Sequence, residues 1–571
     1  MTDYRLAFKP AIDLYGQHDP SAALFVDGDL TVAVEEERFT REKHAPNTFP
    51  EQSIRFCLDH EGIGLDDLTE VRIPYDPALR SKILWSHYVP DALRVDGVIS
   101  KGIALARVAR DQTKIRYRRT DAIERRLAEL GDRVPPIELL PHHRCHAASA
   151  FHPSGFDDAL VLTIDAKGEY DSTVVWHGTA EGLRRVRTYE HPNSLGLFFA
   201  VVTEYLGFRM FNGEGKVMGL APYGNRDPEI EATLRDLVDV GADYDVTALT
   251  RRWGTGHGVA TLEDAFGRSR TTDTESFDQF EKDLAHVAQC LLEETVVDIV
   301  DAELSPLPTN DVVLAGGVAL NCKLNKRVRE SDRVGETFVQ PVAHDAGLAL
   351  GAGWAGQDPA SVTEMTTVYH GPRFDMAHVR DVLATNKVDY REPDDLTGTV
   401  AELLADGALV GWFQGRQELG PRALGNRSIL ADPRNAASRD RVNRFVKHRE
   451  EWRPFAPSML DSAAETYLEN ATTSPFMIDT FDVTPDRAAE IEAVSHPADR
   501  TTRPQIVSRE QNPRYHDLLS DFESLTGVGV LLNTSFNDHG EPIVTTPTQA
   551  LKDFYGMGLD TLVVEDALLT K

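Results

Sequence analysis

His142 and His146 stand four residues apart in HHRCHAASAF, and nineteen residues further on a strand-like run ends in Asp165 within LTIDAKGEYDST. Histidines at i and i+4 share one face of a helix, close enough to hold a single ion. A carboxylate is the usual third ligand of a borderline metal. The glycine-bearing turn that follows sets these candidate ligands beside a turn of the kind that receives phosphate. Histidine pairs at this spacing also arise by chance, so by itself the pattern marks a candidate and no more.

A second group is cationic. Arg416, Arg422, Arg427, Arg434, Lys447, Arg449 and Arg453 fall within 38 residues, interleaved with Gly, Pro, Leu, Ile, Trp and Phe. Solvated arginines sit on polar faces, whereas partly buried ones need anionic partners or cost several kcal/mol each. Arginine recognises phosphate and carboxylate in bidentate fashion, and an internal salt-bridge network is the competing explanation. A third group closes the chain: the apolar run GVGVLLNTSFN places Asn533, Thr534, Ser535 and Asn537 at its carboxyl end, where open α/β sheets hold ligands, although a plain polar loop would look the same.

These groups need elements to position them. The chain opens as RLAFKPAIDLY and then a hairpin, SAALFVDGDLTVAVEEE, with DGD as its turn. Residues 51–135 read mainly as helices, with a basic amphipathic stretch from Ile103 to Leu130. DDALVLTIDAKGEYDSTVVWHG reads as a second hairpin echoing the first, which predicts two related α/β halves. DVVLAGGVALNCKLN is an apolar strand running into Gly316, Gly317 and a helix, the α/β way of offering backbone N–H groups to a phosphate or nucleotide. No Walker A sequence is present, so a nucleotide site must be of a class other than the P-loop. The polar stretch AGQDPASVTEM predicts a domain boundary, giving domains 1–355 and 356–571. A chain of 571 residues exceeds one hydrophobic core.

Composition narrows the partners. The formal net charge is -31, which repels nucleic-acid backbones and anionic membranes over most of the surface and leaves a small phosphorylated substrate as the best match to the cationic group. Acid excess with 46 Arg and only 14 Lys resembles halophilic composition. Four cysteines without CxxC spacing exclude a disulfide framework or a zinc finger. The amino-terminal residues have no apolar leader, and the most apolar stretch, LGLFFAVVTEYLGF, is broken by Glu204, so the expected location is the cytoplasm.

HHRCHAASAF, KVMGLAPYG, GGVALNCKLN, GPRALGNRSILADPR, KHREEWRPFAP and LLNTSFN, in that order, resemble the carbamoyltransferase family of antibiotic and nodulation-factor biosynthesis, from about residue 11 to residue 566. The resemblance implies a Kae1-like N-terminal domain of the actin/Hsp70/sugar-kinase superfamily and an α+β YrdC-like C-terminal domain. It implies an ATP-dependent O-carbamoyltransferase working in two stages. In the YrdC-like domain, carbamoyl phosphate yields carbamate, which attacks the α-phosphate of ATP to give carbamoyl adenylate and pyrophosphate. In the Kae1-like domain a hydroxyl of a small-molecule or sugar acceptor takes the carbamoyl group and AMP leaves.

The same resemblance assigns residues. Arg422, Lys447, Arg503 and Ser535 would handle carbamoyl phosphate and ATP, with Mg accompanying the ATP, and motif position and charge add Arg427, Arg453 and Asn533. His142, His146, Asp165 and Asp345 would ligate a divalent metal, Fe(II) by family analogy. Gly316, Gly317 and Asn321 would contact the adenosine or ribose and Lys216 a phosphate. His18 is the expected general base, and Lys43 is expected at the carbamoyl or acceptor end. The first strand, AIDLYGQHDPSA, departs from the family's usual glycine placement, which touches acceptor geometry alone. Two other readings remain: a tRNA-threonylcarbamoylating enzyme, which would need a broad basic surface, and a non-catalytic nucleotide-dependent regulator, which would have lost these residues. The acceptor and the oligomeric state are not written in the sequence.

Overall fold

A computed structural model describes residues 2–95, 97–251, 255–450 and 452–571. The chain divides into two compact units, one running through Glu36 and from His44 to Met365, the other comprising Glu37–Lys43 and Thr366–Lys571. Both are mixed α/β.

The first unit holds two five-stranded sheets. In the first, β1 (Tyr4–Lys9), β2 (Ser21–Val26), β3 (Asp29–Glu35), β4 (Glu70–Ile73) and β5 (Ile137–Leu139) lie in the order β3-β2-β1-β4-β5. The second uses β6 (Asp158–Ile164), β7 (Asp171–Thr179), β8 (Gly182–Glu190), β9 (Val312–Ala315) and β10 (Thr337–Val339) in the order β10-β9-β6-β7-β8. Read from β8, the second sheet has the same order as the first. The senses agree too: each opens with three antiparallel strands and continues from its central strand into two parallel ones. The unit is therefore a duplicated α/β half.

The sequence echo needs one correction. The hairpin of β6 and β7 corresponds by position to β1 and β2, not to β2 and β3, with which the turn pattern paired it. β4, in the stretch read as helical, and β5, just beyond it, are four and three residues long, too short for alternation to show. Helices do fill most of the rest, including Val98–Tyr117 and Asp121–Leu127.

β6 is buried on both faces from Ala159 onward, as an inner strand between a parallel and an antiparallel neighbour must be. The helix His142–Phe151 is buried along almost its whole length and packs against the buried small-residue helix Leu348–Trp354. That approach depends on Gly351, where a Cβ would lie 1.8 Å from the carbonyl oxygen of Cys145. Residues 356–365, set by composition beyond the boundary, stay with the first unit, and the Met365 N–H donates to the Pro153 carbonyl at 2.9 Å.

The second unit is built on a seven-stranded sheet of β11 (Val410–Phe413), β12 (Arg427–Ala431), β13 (Ala456–Leu460), β16 (Gln505–Val507), β17 (Val530–Ser535), β18 (Thr561–Val564) and β19 (Ala567–Thr570), ordered β16-β13-β17-β12-β11-β18-β19. The pair β14 (Phe481–Asp482) and β15 (Thr501–Thr502) stands apart. Trp412, Phe413, Leu531, Phe536 and Phe554 are among its buried core. Among the described residues no helix is long and apolar enough to cross a membrane.

Candidate active site

In the first unit, two histidines from the helix His142–Phe151 meet Asp165, just past β6, and Asp345, at the start of the single turn Asp345–Gly347. One ligand atom from each of the four lies within 4.8 Å of all the others. Two atoms bound at about 2.1 Å to one ion stand about 3.0 Å apart at a right angle and about 3.4 Å apart at the tetrahedral angle. Here His142 Nε2 and His146 Nε2 are 3.1 Å apart, and they lie 3.0 and 3.3 Å from Asp165 Oδ2. Asp345 Oδ1 is 3.6 Å from the first and 3.7 Å from the second. The four atoms thus fit the edges of one coordination polyhedron, and the neutral-nitrogen and carboxylate donor set suits a divalent first-row metal. Burial disfavours a charged His146, but hydrogen bonding to Asp165 and then Asp345 outweighs it and lifts the imidazole to about 9. Burial works the other way on Asp165, and its two histidine partners hold the carboxyl well below the usual range. The pocket is tuned for positive charge at its centre.

The glycine turn after β9 passes this site closely. Gly316 has φ +88, and a Cβ there would fall 2.2 Å from the Ile164 carbonyl oxygen, while one on Gly317 would stand 3.2 Å from Asp165 Oδ1. Asn321 is engaged within the protein. It caps the helix Cys322–Arg329 and exchanges two hydrogen bonds with Gln289, at 2.9 and 3.0 Å, which engages both ends of its amide. Lys216 sits with its ammonium over the Phe208 ring.

His18 lies partly exposed, and its Nδ1 is 2.8 Å from Asp19 Oδ2. The other oxygen of Asp19 is 2.7 Å from Nδ1 of His44. Burial disfavours the charged His18, the Asp19 hydrogen bond outweighs it, and the imidazole is raised above its ordinary value. Asp19 therefore fixes the ring through Nδ1, the orientation a general base needs if Nε2 is to meet a hydroxyl.

In the second unit the cationic residues gather. Lys447 is buried, and its ammonium donates to the Ser535 carbonyl at 2.5 Å and to the carbonyl and Oδ1 of Asn537 at 3.1 and 3.0 Å, with Ser535 Oγ at 3.4 Å. All four are neutral acceptors. Burial, then Arg449 and Arg453, hold Lys447 well below the usual lysine range against the opposing pull of Asp553, and Lys43 adds to the repulsion. Arg503 stands close enough to act on both Arg449 and Arg453. Glu450 approaches Arg453 at 3.7 Å. Arg422 lies half-buried in the loop before β12.

Two residues expected at the ligand also make extensive internal contacts. Arg427 is fully buried, stacked 3.6 Å from the Phe413 ring centre, and its Nη atoms donate to the carbonyls of Gln414, Asn426, Pro372 and Gly415. Asn533 gives its amide N–H groups to Ala423, Ser458 and Gln505. Charge and motif position could not distinguish a guanidinium aimed at a ligand from one consumed by backbone carbonyls. Lys43 groups with the second unit.

Sequence reasoning missed three residues. Lys9, in β1, places its ammonium 3.0 Å from Asp345 Oδ2 and donates to the His18 carbonyl. Glu169 accepts from the backbone N–H of His142 and of Asp76, at 3.0 and 2.8 Å, and so caps the ligand-bearing helix that Pro141 leaves uncapped. Asp19 completes the set. Only Asp19 carried a signal, as the neighbour of His18.

The chain belongs to the carbamoyltransferase family: residues 11–354 match the carbamoyltransferase N-terminus and residues 401–571 the carbamoyltransferase C-terminus. It is accordingly a transferase. It is 39% identical to the uncharacterized protein sll1178 of Synechocystis sp., over 97% of this chain and 95% of that one. It is 36% identical to the nodulation protein NolNO of Sinorhizobium fredii, over 97% of this chain and 79% of that one. It is 28% identical to the 3'-hydroxymethylcephem-O-carbamoyltransferase of Amycolatopsis lactamdurans, over 74% of this chain and 79% of that one.

Proposed function

We propose that the protein is an ATP-dependent O-carbamoyltransferase that activates carbamoyl phosphate in its second unit and carbamoylates a hydroxyl in its first. The observation that carries this reading is Lys447, buried and hydrogen-bonded to neutral acceptors, with Arg449, Arg453 and Lys43 outnumbering Asp553 among its charged neighbours. Buried cations gathered this closely, with cations in excess of the neighbouring Asp553 and Glu450, are stabilised by a phosphorylated ligand. The hydroxyl acceptor follows the printed activity of the cephem relative. The doubled strand order supports an actin/Hsp70/sugar-kinase-like, Kae1-like first unit, and the second unit is read as YrdC-like by family resemblance.

In the second unit Lys447, Arg449, Arg453, Arg503 and Arg422 would neutralise the phosphate released as water hydrolyses carbamoyl phosphate to carbamate, and the charge building on the α-phosphate of ATP as carbamate oxygen attacks it and pyrophosphate departs. Ser535, hydrogen-bonded to Asn537, would orient those oxygens. Adenylation is needed because carbamate is a poor acyl donor and AMP is a good leaving group.

In the first unit His18, oriented by Asp19, would accept the proton of the acceptor hydroxyl as it attacks the carbamoyl carbon and AMP leaves. The backbone at Gly316 and Gly317 would face the nucleotide, and Lys9 would offset the charge of Asp345. His142, His146, Asp165 and Asp345 would hold a divalent metal, Fe(II) by family analogy, whose Lewis acidity would neutralise adenylate phosphate charge. The test is incubation of the pure protein with ATP and carbamoyl phosphate, following pyrophosphate and AMP. Pyrophosphate release that depends on carbamoyl phosphate supports the reading; its absence at every salt concentration refutes it.

A further inference from the structure

The chain leaves β3 at Glu36, spends Glu37–Lys43 in the second unit, and returns to the first at His44. Those seven residues are anchored by two arginines. Arg38 is buried and donates from Nη2 to the Gly420 carbonyl at 2.6 Å, two residues before Arg422 in the loop ahead of β12, while its own carbonyl accepts from Thr545 Oγ1 at 3.1 Å. Arg41 donates from Nη1 to the Ile543 carbonyl and from Nη2 to the Pro542 carbonyl, both at 2.7 Å, with Glu541 Oε2 at 3.3 Å.

The loop that Arg41 grips leads straight to the cationic site. The Glu541 carbonyl accepts from Asn537 Nδ2 at 3.0 Å, and Asn537 Oδ1 in turn accepts from Lys447 Nζ at 3.0 Å and from Ser535 Oγ at 2.5 Å. Arg41, the 541–543 loop, Asn537 and then Lys447 with Ser535 form one continuous hydrogen-bonded path. Arg41 has φ 59, a left-handed conformation that L side chains seldom adopt, and it directs the guanidinium into its three acceptors.

We infer that Glu37–Lys43 is a clamp on the anion-binding loops of the second unit, with Arg41 and Arg38 as positioning residues that set the geometry of Lys447 and Ser535. The inference deepens the reading of that site as the place where carbamoyl phosphate is activated. The site is thus composed of two stretches of chain more than three hundred residues apart in sequence, and loss of the clamp misplaces the ammonium without removing it.

The experiment uses the full chain with Arg41→Ala and Arg41→Lys, inorganic phosphate as the binding probe, and carbamoyl phosphate-dependent pyrophosphate release as the rate. Arg41→Ala is expected to weaken phosphate binding by calorimetry about tenfold or more and to raise the KM for carbamoyl phosphate in step, the scale that follows from displacing an active group by about 1 Å. Millimolar guanidinium should restore part of the loss, a rescue that general destabilisation would not give. Binding of Mn(II) to the first unit should be unchanged. Phosphate affinity within twofold of wild type in Arg41→Ala overturns the clamp. If that variant does not fold, Arg41→Lys decides: its single ammonium cannot serve three acceptors, so wild-type phosphate affinity there overturns the clamp as well. Wild-type protein that binds phosphate through the clamp yet releases no pyrophosphate would refute the catalytic reading and leave the clamp standing.

Discussion

Replacing Lys447 by methionine keeps an unbranched side chain one atom shorter and removes its charge, which tests the electrostatic role of the buried ammonium. In the wild type, carbamoyl phosphate at a hundred times its dissociation constant stabilises the folded state by about 2.7 kcal/mol. In a folding unit of roughly two hundred residues, about 1 kcal/mol moves Tm by about 2–4 °C, so the ligand should raise Tm by about 5–11 °C. Losing one charge-assisted hydrogen bond costs about 1.5–3 kcal/mol, or about ten- to 160-fold in affinity. At the same ligand concentration the remaining stabilisation is about 0.3–1.4 kcal/mol, a shift of about 1–5 °C. Calorimetric melting with and without carbamoyl phosphate at fixed salt measures both values, and pyrophosphate release should fall by about 10²–10³. The unliganded proteins offer a control. With Lys447 held below its ordinary value of 10.5, the unfolded chain binds more protons in the window below that pH, so wild-type stability rises with pH there and the methionine variant's rise should be flatter. A variant that keeps the full ligand shift and the wild-type rate would refute the reasoning that Lys447 meets the phosphoryl group.

Three further outcomes are expected. Asp345→Asn should weaken Mn(II) or Fe(II) binding by at least about tenfold in calorimetric titration while sparing carbamoyl phosphate-dependent pyrophosphate release, because Asp345 donates to the first-unit cluster. His18→Ala should likewise spare pyrophosphate release but slow carbamoyl transfer by about 10²–10⁴, and equal loss in both stages would rule out its role as base. Asp553 is raised to about 6 by burial and then by Glu541, so its folded form binds a proton more readily than the unfolded chain between about pH 4 and 6, and its contribution to stability is lost as pH rises through 6. Asp553→Asn should therefore stabilise the protein by about 1–3 kcal/mol above pH 6 and change little below pH 4, as denaturant melts at the two pH values will show.

Chemistry carried by short contiguous motifs was legible in the sequence. The spacing of His142 and His146 followed from helical periodicity alone, and the strand ending at Gly316 and Gly317 was readable because β9 is apolar and its turn unmistakable. The duplicated α/β architecture was half legible: the hairpins echoed each other, but β4 and β5 were too short to announce themselves, and without them the two echoes could not be aligned.

What the sequence by itself determined is therefore the inventory: the ligand types, the cationic stretch, the glycine turn and the family. Only the tertiary structure decided which of those groups are available. Asp345 reaches the two histidines across some two hundred residues of sequence, Arg427 spends its Nη donors on backbone carbonyls, and Lys43 joins Lys447 in the second unit. The reason is physical: residue type and spacing fix what a side chain can bind, whereas burial and the backbone groups brought beside it fix what it does bind, and those partners come from segments that no local pattern connects.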